Sequence, residues 1–421
     1  MAEDASPDPV LEQELEQVLP EPPTVVEPAG AEPGGLWQRV GAQLTWQDFN
    51  HVRIADERGE LLRQRQYLDV ISRRAHYYLY YIVEQVEARQ MPIEIALLPV
   101  VESTLNPFAD SPSSAAGLWQ IMPATGKQLG LRQDWWYDGR RDLRDSTRAA
   151  LDYLEELHAK FDGDWLLALA AYNSGKSRVM RSMRANRSRG QATDYWSLKL
   201  PRETREYVPR LYALSQIIAD PERYGIDIPH VPNAPAFTVT ATGGQLELAR
   251  AAELADVEIS VLRAYNPGQL RWATSPDARQ ELLLPVGSAT QFEQGIASLG
   301  PDDRVRWQHY RIQRGDTLIG IARAFDTEVA MLQQVNGIRG SHIRAGDTLM
   351  IARGSAWADS LALAGTEAPT ARDYRVKRGD SLYRIAGKFK VSISDIIAWN
   401  GLDPRAYLQP GQQLTLYVGG G

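Results

Sequence analysis

The spacing of apolar residues divides this chain before any motif does. From Leu61 onward, Leu61, Leu62, Tyr67, Leu68, Ile71, Tyr78, Ile82 and Val86 recur three and four positions apart, the interval that lines residues along one buried helical face. An apolar run from Ile93 to Val101 then leads straight to Glu102. Further helices are expected near 122–129, 144–161, 164–172, 175–187 and 203–219, punctuated by Pro and Gly clusters at 106–117 and 220–235. Residues 60–225 read as the core of one mostly helical domain, with 36–230 as its full extent. Ahead of it, residues 1–35 are rich in Pro, Glu and Ala. Such a stretch buries too little apolar surface to offset its ordering entropy, so a disordered spacer is expected. A weakly structured lead-in with Trp37, Trp46 and Phe49 should pack on the domain.

Further on the pattern shortens and repeats. Tyr310-Arg311-Ile312-Gln313-Arg314-Gly315-Asp316-Thr317-Leu318 matches Tyr374-Arg375-Val376-Lys377-Arg378-Gly379-Asp380-Ser381-Leu382. The match extends to Ile321-Ala322 and Ile385-Ala386, to Phe325 and Phe389, and to Asn336-Gly337 and Asn400-Gly401. Each unit ends in an alternating strand, Gly346 to Ile351 and Gly411 to Tyr417. The predicted order is strand, two short helices, strand, over 308–352 and 373–418, with a linker at 353–372. Gly315 permits a tight turn, and Asp316 or Thr317 can cap the N–H groups of the following helix. A degenerate third copy is expected over 236–285, where Leu248, Ala251-Ala252, Ile259, Leu262 and Asn266 keep register but the Gly-Asp-Thr segment is missing. It reads as a packing unit between the helical domain and the intact pair.

Composition narrows the classes. The chain has 421 residues, a net charge of −7 and no cysteine. An acidic balance argues against nucleic acid as the main partner, and disulfides and Cys-ligated zinc are excluded. The six histidines (51, 76, 158, 230, 309, 342) show no metal-ligand spacing. No metal and no cofactor is expected. No run approaches the ~18 apolar residues of a membrane span. Tyr77 to Val83 is short and flanked by Arg73, Arg74 and Glu84, so it reads as a buried core helix. The chain opens Met1-Ala2-Glu3-Asp4 without an apolar signal region.

The chemistry gathers around Glu102-Ser103, Gly117-Leu118-Trp119-Gln120 and Ala171-Tyr172-Asn173-Ser174-Gly175. A sugar-cleaving cleft needs a proton donor, amides that fix the sugar and aromatic faces that stack on it. The apolar run before Glu102 should partly desolvate it and so disfavour the anion. Glycosidases ordinarily pair two carboxylates, but Asp110, Asp134, Asp138 and Glu203 stand in no convincing second motif.

At these residues the chain resembles family-1 soluble-lytic-transglycosylase domains, and the C-terminal repeats resemble LysM modules. The first resemblance implies a lysozyme-like, mostly α catalytic domain acting on peptidoglycan glycan strands, followed by small α+β modules. It implies that Glu102 protonates the leaving oxygen and then takes a proton from the C6 hydroxyl of the same muramic acid, giving a 1,6-anhydro product. Substrate contacts are carried over to Ser111, Gln120, Met122, Tyr172, Asn173, Glu203 and Tyr207, and Trp119 should add an aromatic sugar contact. The LysM resemblance makes Gly315, Asp316, Thr317 and Asn336, with Gly379, Asp380, Ser381 and Asn400, candidate glycan contacts. A periplasmic or cell-envelope location is expected, with outer-membrane association as an option; on export, the targeting segment is expected to have been removed from this chain. Protein partners stay unknown. A hydrolytic muramidase, a non-catalytic wall-binding protein and chitin as polymer are the alternatives.

Three further features stand out along the chain. Ser174-Gly175-Lys176-Ser177 ends like a phosphate loop, but Ala170 stands where the first glycine is required. Lys176, Arg178, Arg181, Arg184, Arg187 and Arg189 form a basic run. A solvated face is the default for it, and attraction of acidic stem peptides is the functional option. Trp135-Trp136-Tyr137 is a sugar platform or packing.

Overall fold

The computed structural model describes residues 19–25, 27, 35–134, 136–275, 281–305, 307–325, 329, 332–333, 336, 338, 340–352, 370–377, 380–389, 396, 400, 408–409 and 411–418. They fall into two compact units, one running through residue 244 and taking in 251–297, the other comprising 245–250 and 298 onward.

The first unit is built on helices α1 (Gly35–Gln43), α2 (Val52–Arg63), α3 (Arg65–Ala88), α4 (Leu98–Ser103), α5 (Pro123–Gln128), α6 (Leu143–Lys160), α7 (Trp165–Ser174), α8 (Lys176–Arg187) and α9 (Arg202–Ala219). A 3-10 turn, Ile93–Leu97, feeds α4. Asp142 caps α6 by accepting from the Arg144 and Asp145 N–H groups, and Asp164 caps α7 through Leu167 N–H. Helix α7 is central: Leu167 to Ala171 are all buried, and it packs against α6, α8 and α9. Three alanines in that stretch let the neighbouring helices approach closely.

Two expectations for the N-terminal part are corrected. Part of the supposed spacer is packed: Leu19 is buried, the Tyr77 hydroxyl donates to Pro20 O at 3.0 Å, and Glu27 accepts from Asn233 N–H at 2.7 Å. The rest of 1–35 lies outside the described residues. The first part of the lead-in is helical, because Leu36, Trp37 and Val40 form one buried face of α1 and Trp37 Nε1 donates to Ser72 Oγ at 3.1 Å, while Trp46 and Phe49 lie in the turn that follows. The fully buried Glu94 then accepts from Thr45 N–H (2.6 Å) and Trp46 N–H (2.8 Å), tying the α1–α2 connection to the core.

Strands β1 (Phe237–Ala241) and β2 (Glu281–Pro285) pair antiparallel, with Val239 opposite Leu283. Helices α10 (Leu248–Ala255) and α11 (Ile259–Tyr265) lie between them in sequence. Asn266 donates to Leu262 O and Leu283 O and accepts from Leu283 N–H, all at 2.8 Å or less, so its amide pins α11 to β2. This small sheet is joined to the helical domain: Tyr78 Oη donates to Ala264 O at 2.8 Å, and Arg144 meets Glu281 at 2.9 Å. The segment 136–138 adds Leu270 N–H to Trp136 O and Asp138 N–H to Gly268 O, both 2.9 Å. Helix α12 (Ala289–Ala297) follows.

In the second unit β3 (Trp307–Arg311) pairs antiparallel with β4 (Thr348–Ala352), and β5 (Thr370–Arg375) with β6 (Gln413–Val418). Helices α13 (Leu318–Ala324) and α14 (Leu382–Phe389) follow the first strand of each. The second helix of each module falls largely outside the described residues. So does linker 353–369, while the linker's last expected residues, 370–372, belong to β5. Each module has its own core, Ile312, Leu318, Ile321, Leu332, Leu349 and Ile351 in one, Val376, Ile385, Ile396, Leu414 and Leu416 in the other.

Candidate active site

Glu102 sits in the last turn of α4, half-buried. The chain leaves that turn through Thr104 and Leu105, both left-handed at φ of 53° and 55°, a conformation non-glycine residues seldom adopt. Ser103 Oγ lies 3.1 Å from Pro99 O and 2.9 Å from Leu118 O, linking the carboxylate's helix to the turn that carries Gly117 to Gln120. The Tyr207 hydroxyl, from α9, donates to Glu102 Oε1. The Tyr172 hydroxyl, from α7, donates to Trp119 O at 2.8 Å. Burial, and then the charge of Glu102, push both phenols well above their ordinary value, so both stay protonated donors near neutral pH.

Beside them runs a groove of about 270 Å³ lined by Gln120, Met122, Tyr153, Tyr172, Asn173 and Gly175, among others. Tyr172 connects groove and acid: it lines the first and its phenol responds to the charge of the second. Gln120 is strained, with φ of 45°, and its Nε2 donates to Gly117 O at 2.9 Å and Ala109 O at 3.3 Å. Strain held by such bonds fixes a groove residue in one orientation. The Asn173 amide is clamped at both ends, its Nδ2 donating to Glu203 Oε1 at 3.1 Å and its Oδ1 accepting from Thr204 Oγ1 at 2.8 Å. Met122 is 41% exposed, open to a ligand.

Glu102, Gln120, Met122, Tyr172, Asn173, Glu203 and Tyr207 are thus brought into one neighbourhood. Ser111 does not line the groove; its Oγ accepts from Ala115 N–H at 2.9 Å and organises the 110–116 turn. The expected aromatic contact at Trp119 is overturned. That indole is fully buried, with Nε1 donating to Thr147 Oγ1 at 3.0 Å. Trp136 and Tyr137 are likewise buried, so they pack rather than form a platform; Trp135 lies outside the described residues.

The carboxylates weighed as a second catalytic group are occupied. Asp110 meets Arg141 at 2.5 Å and Asp138 meets Arg140 at 2.7 Å. Asp134 pairs with Arg132 and accepts from the Trp136 and Tyr137 N–H groups. Glu203 holds Asn173. Sequence reasoning missed Tyr153, 5.9 Å ring to ring from Tyr172, because only the packing of α6 on α7 turns it to the groove. It also passed over Thr204, although this residue stands in the motif that supplied Glu203 and Tyr207.

In the repeats, Thr317 Oγ1 accepts from Gly320 N–H at 3.0 Å and Ser381 Oγ from Arg384 N–H at 3.2 Å, so these two are the helix caps. Asp316 is not a cap: it accepts from the Tyr310 hydroxyl (2.7 Å) and Gln313 N–H (2.6 Å), as Asp380 does from Tyr374 and Lys377. Gly315 takes φ of 99° at that turn. Asn336 spends both amide hydrogens on Leu332 O and Met350 O and accepts from Met350 N–H, repeating the pin formed by Asn266. Asn400 donates to Ile396 O at 2.9 Å. Asn336 thus staples its helix to a strand; Gly379 lies outside the described residues.

Against known proteins, the Transglycosylase SLT domain matches residues 80–195 and the LysM domain matches 310–352 and 374–416. The LysM-like domain of lytic transglycosylase MltD matches 236–299. Membrane-bound lytic murein transglycosylase D of Escherichia coli K12 is 39% identical over 395 residues, covering 91% of this chain and 86% of that protein. The chain belongs to the membrane-bound lytic murein transglycosylase D family. As a member it is a murein lytic transglycosylase, with the helical SLT domain and small LysM modules described above. A second relative of this transglycosylase, a putative tributyltin chloride resistance protein of an Alteromonas species, is 54% identical over 112 residues, 27% of this chain and 54% of that one. Among solved structures, an inactive mutant of lytic transglycosylase Slt from Pseudomonas aeruginosa shares 25% identity at a TM-score of 0.28, covering 35% of this chain and 24% of that one. No described helix is long and apolar enough to cross a membrane.

Proposed function

We propose that this transglycosylase cleaves the MurNAc-β-1,4-GlcNAc bond with Glu102 as its acid and then its base. The observation that carries this reading is the pairing state of the carboxylates. Glu102 is held by Tyr207 beside the groove, whereas Asp110, Asp134 and Asp138 are each tied to an arginine and Glu203 clamps Asn173. With no second carboxylate available from that set, the nucleophile is the substrate's own C6 hydroxyl. A tethered hydroxyl reacts at high effective concentration and needs no base that activates water. Glu102 first gives its proton to the leaving GlcNAc oxygen. It then removes the C6 hydroxyl proton as that oxygen bonds to the anomeric carbon, and the product is 1,6-anhydroMurNAc. The Tyr207 hydroxyl, both donor and acceptor, can bond Glu102 in either protonation state.

The LysM modules would hold the enzyme on glycan. Weak contacts at two modules combine through effective concentration, which suits a repetitive polymer. Such a substrate puts the protein in the cell envelope, on the periplasmic side, and the name of the Escherichia coli relative adds membrane association.

Glu102→Gln tests the reading on purified sacculi. Release of anhydro-muropeptides should vanish while sacculus binding persists. Full activity in that variant would sink the assignment of Glu102. A wild-type product heavier by one water would instead make the enzyme a hydrolytic muramidase.

A further inference from the structure

Helix α8 starts directly after Gly175, a groove residue. Its apolar side is inward: Val179 is buried, and Met180 and Met183 pack on the core. Just past the buried Val179 side, Asn186 anchors the last turn by donating to Ala192 O at 2.7 Å and Ser197 O at 2.9 Å. Away from that side stand Arg178, Arg181 and Arg184, which step round about 120° of the helix, with Arg187 and Arg189 further on, all exposed. Elsewhere in the helical domain Arg39, Arg89, Arg140, Arg141, Arg144 and Arg210 each meet a carboxylate. On α8 only Lys176 does so, with Glu156 at 2.9 Å. Among the described residues, the exposed arginines of α8 have no carboxylate partner. This concentration of unpaired cations occurs in a chain of net charge −7.

We propose that this arginine face docks the carboxylate-bearing stem peptides of the murein strand held in the groove. The proposal rests on the reading of the groove as the glycan site, and three observations favour it. First, α8 begins at the residue after Gly175, which lines the groove, so Arg178 stands in the first turn beyond the groove's edge. Second, Arg178, Arg181 and Arg184 span roughly 9 Å along the helix, the length of about three residues of extended peptide. Third, guanidinium groups bond carboxylates in bidentate fashion, which suits free carboxylates spaced along a short chain. An anionic lipid surface fits less well. The exposed large apolar residues among those described are Phe49, Val52, Met122, Val239, Val286 and Ile319, and none is on α8.

The test compares two substrates in the full chain: stem-bearing murein strands, and the same strands stripped of peptides by an amidase. The variant is the triple substitution Arg178→Gln, Arg181→Gln and Arg184→Gln, with its lysine counterpart as the charge-keeping control. Each exposed pair contributes a factor of roughly two, so the triple glutamine variant should raise KM on stem-bearing strands about eightfold. KM on stripped strands should not change, and neither should kcat or the melting temperature. The lysine control should recover most of the loss, and raised salt should erase the wild-type preference for stem-bearing strands. Equal KM on both substrates in wild type and variant would overturn the proposal. So would a loss confined to co-sedimentation with phosphatidylglycerol vesicles, with stem preference intact. Failure of the wild type to cleave either strand would instead refute the groove assignment.

Discussion

Gly117→Ala separates a backbone collision from a mere conformational penalty. Gly117 holds φ of 79°, and a Cβ added there would stand 2.2 Å from Arg140 O, 2.9 Å from Arg140 C and 3.0 Å from Arg141 Cα. Every one of those atoms is backbone, so no side-chain rotation relieves the contact. The left-handed conformation alone costs about 1–2 kcal/mol for an L-residue. Overpacking adds roughly 1–3 kcal/mol, and the turn must retreat by about 1 Å to reach ordinary van der Waals contact. That retreat carries Leu118, whose carbonyl bonds Ser103 beside Glu102, and Gln120, which lines the groove. A misplacement of about 1 Å can cost on the order of 100-fold in rate. Gly225→Ala is the matched control: φ is 64°, nothing lies within 4 Å of its added Cβ, and it does not line the groove. Calorimetry and initial rates of muropeptide release on both variants make the comparison. Gly117→Ala should melt about 4–10 °C lower and turn over about 100-fold more slowly, whereas Gly225→Ala should lose about 2–4 °C and no rate. Equal losses in the two variants would refute the collision, and an unaltered rate in Gly117→Ala would refute the coupling of this turn to the site.

Two further outcomes are expected. Tyr207→Phe removes the hydroxyl that donates to Glu102 Oε1; a bond to a charged group is worth about 1.5–3 kcal/mol, so kcat should drop about 10- to 100-fold with KM near wild type, and an unchanged kcat would dismiss Tyr207 as an orienting residue. In the second LysM module, the Lys377 N–H and then the Tyr374 hydroxyl hold the Asp380 carboxyl below its usual 3.8. A depressed folded value means the contribution is full above pH 3.8 and lost as pH falls through the lower folded value. Pepsin cleavage within 374–418 should therefore rise below pH 3.8 and lose that pH dependence in Asp380→Asn; identical profiles for wild type and variant would remove Asp380 as the cause.

The helices from Leu61 to Ala219 were legible because their apolar residues repeat at helical intervals, and the modules because two nine-residue segments match position for position. Glu102, Tyr172 and Asn173 were legible as motifs. What the motifs could not convey was which way each side chain turns. Trp119 occupies a motif position yet faces Thr147, since the tight turn at Gly117 and the strained Gln120 direct the amide to the groove and the indole inward. Asn336 likewise holds a repeated position for an internal reason: it closes a helix onto a strand. Residues 19–25 were misread because their few apolar residues show no period, and tertiary contacts such as that of Tyr77 with Pro20 hold them.

The same reasoning accounts for the degenerate copy. It lacks Gly-Asp-Thr but keeps the asparagine, and the asparagine is what holds strand to helix, so the small fold survives without the turn that its two relatives share. Its surface is then available for packing, and the partner is segment 132–138. Gly268 O and Leu270 N–H bond that segment's backbone, and Ser275 Oγ accepts from Arg132. Asp138 in turn grips Arg140, whose guanidinium donates to Ser114 O at 2.7 Å and Ile121 O at 3.2 Å. These carbonyls flank the turn of Gly117 and Gln120. The module is therefore joined by consecutive hydrogen bonds to the groove wall, which accounts for its place in the enzyme as a brace for that wall.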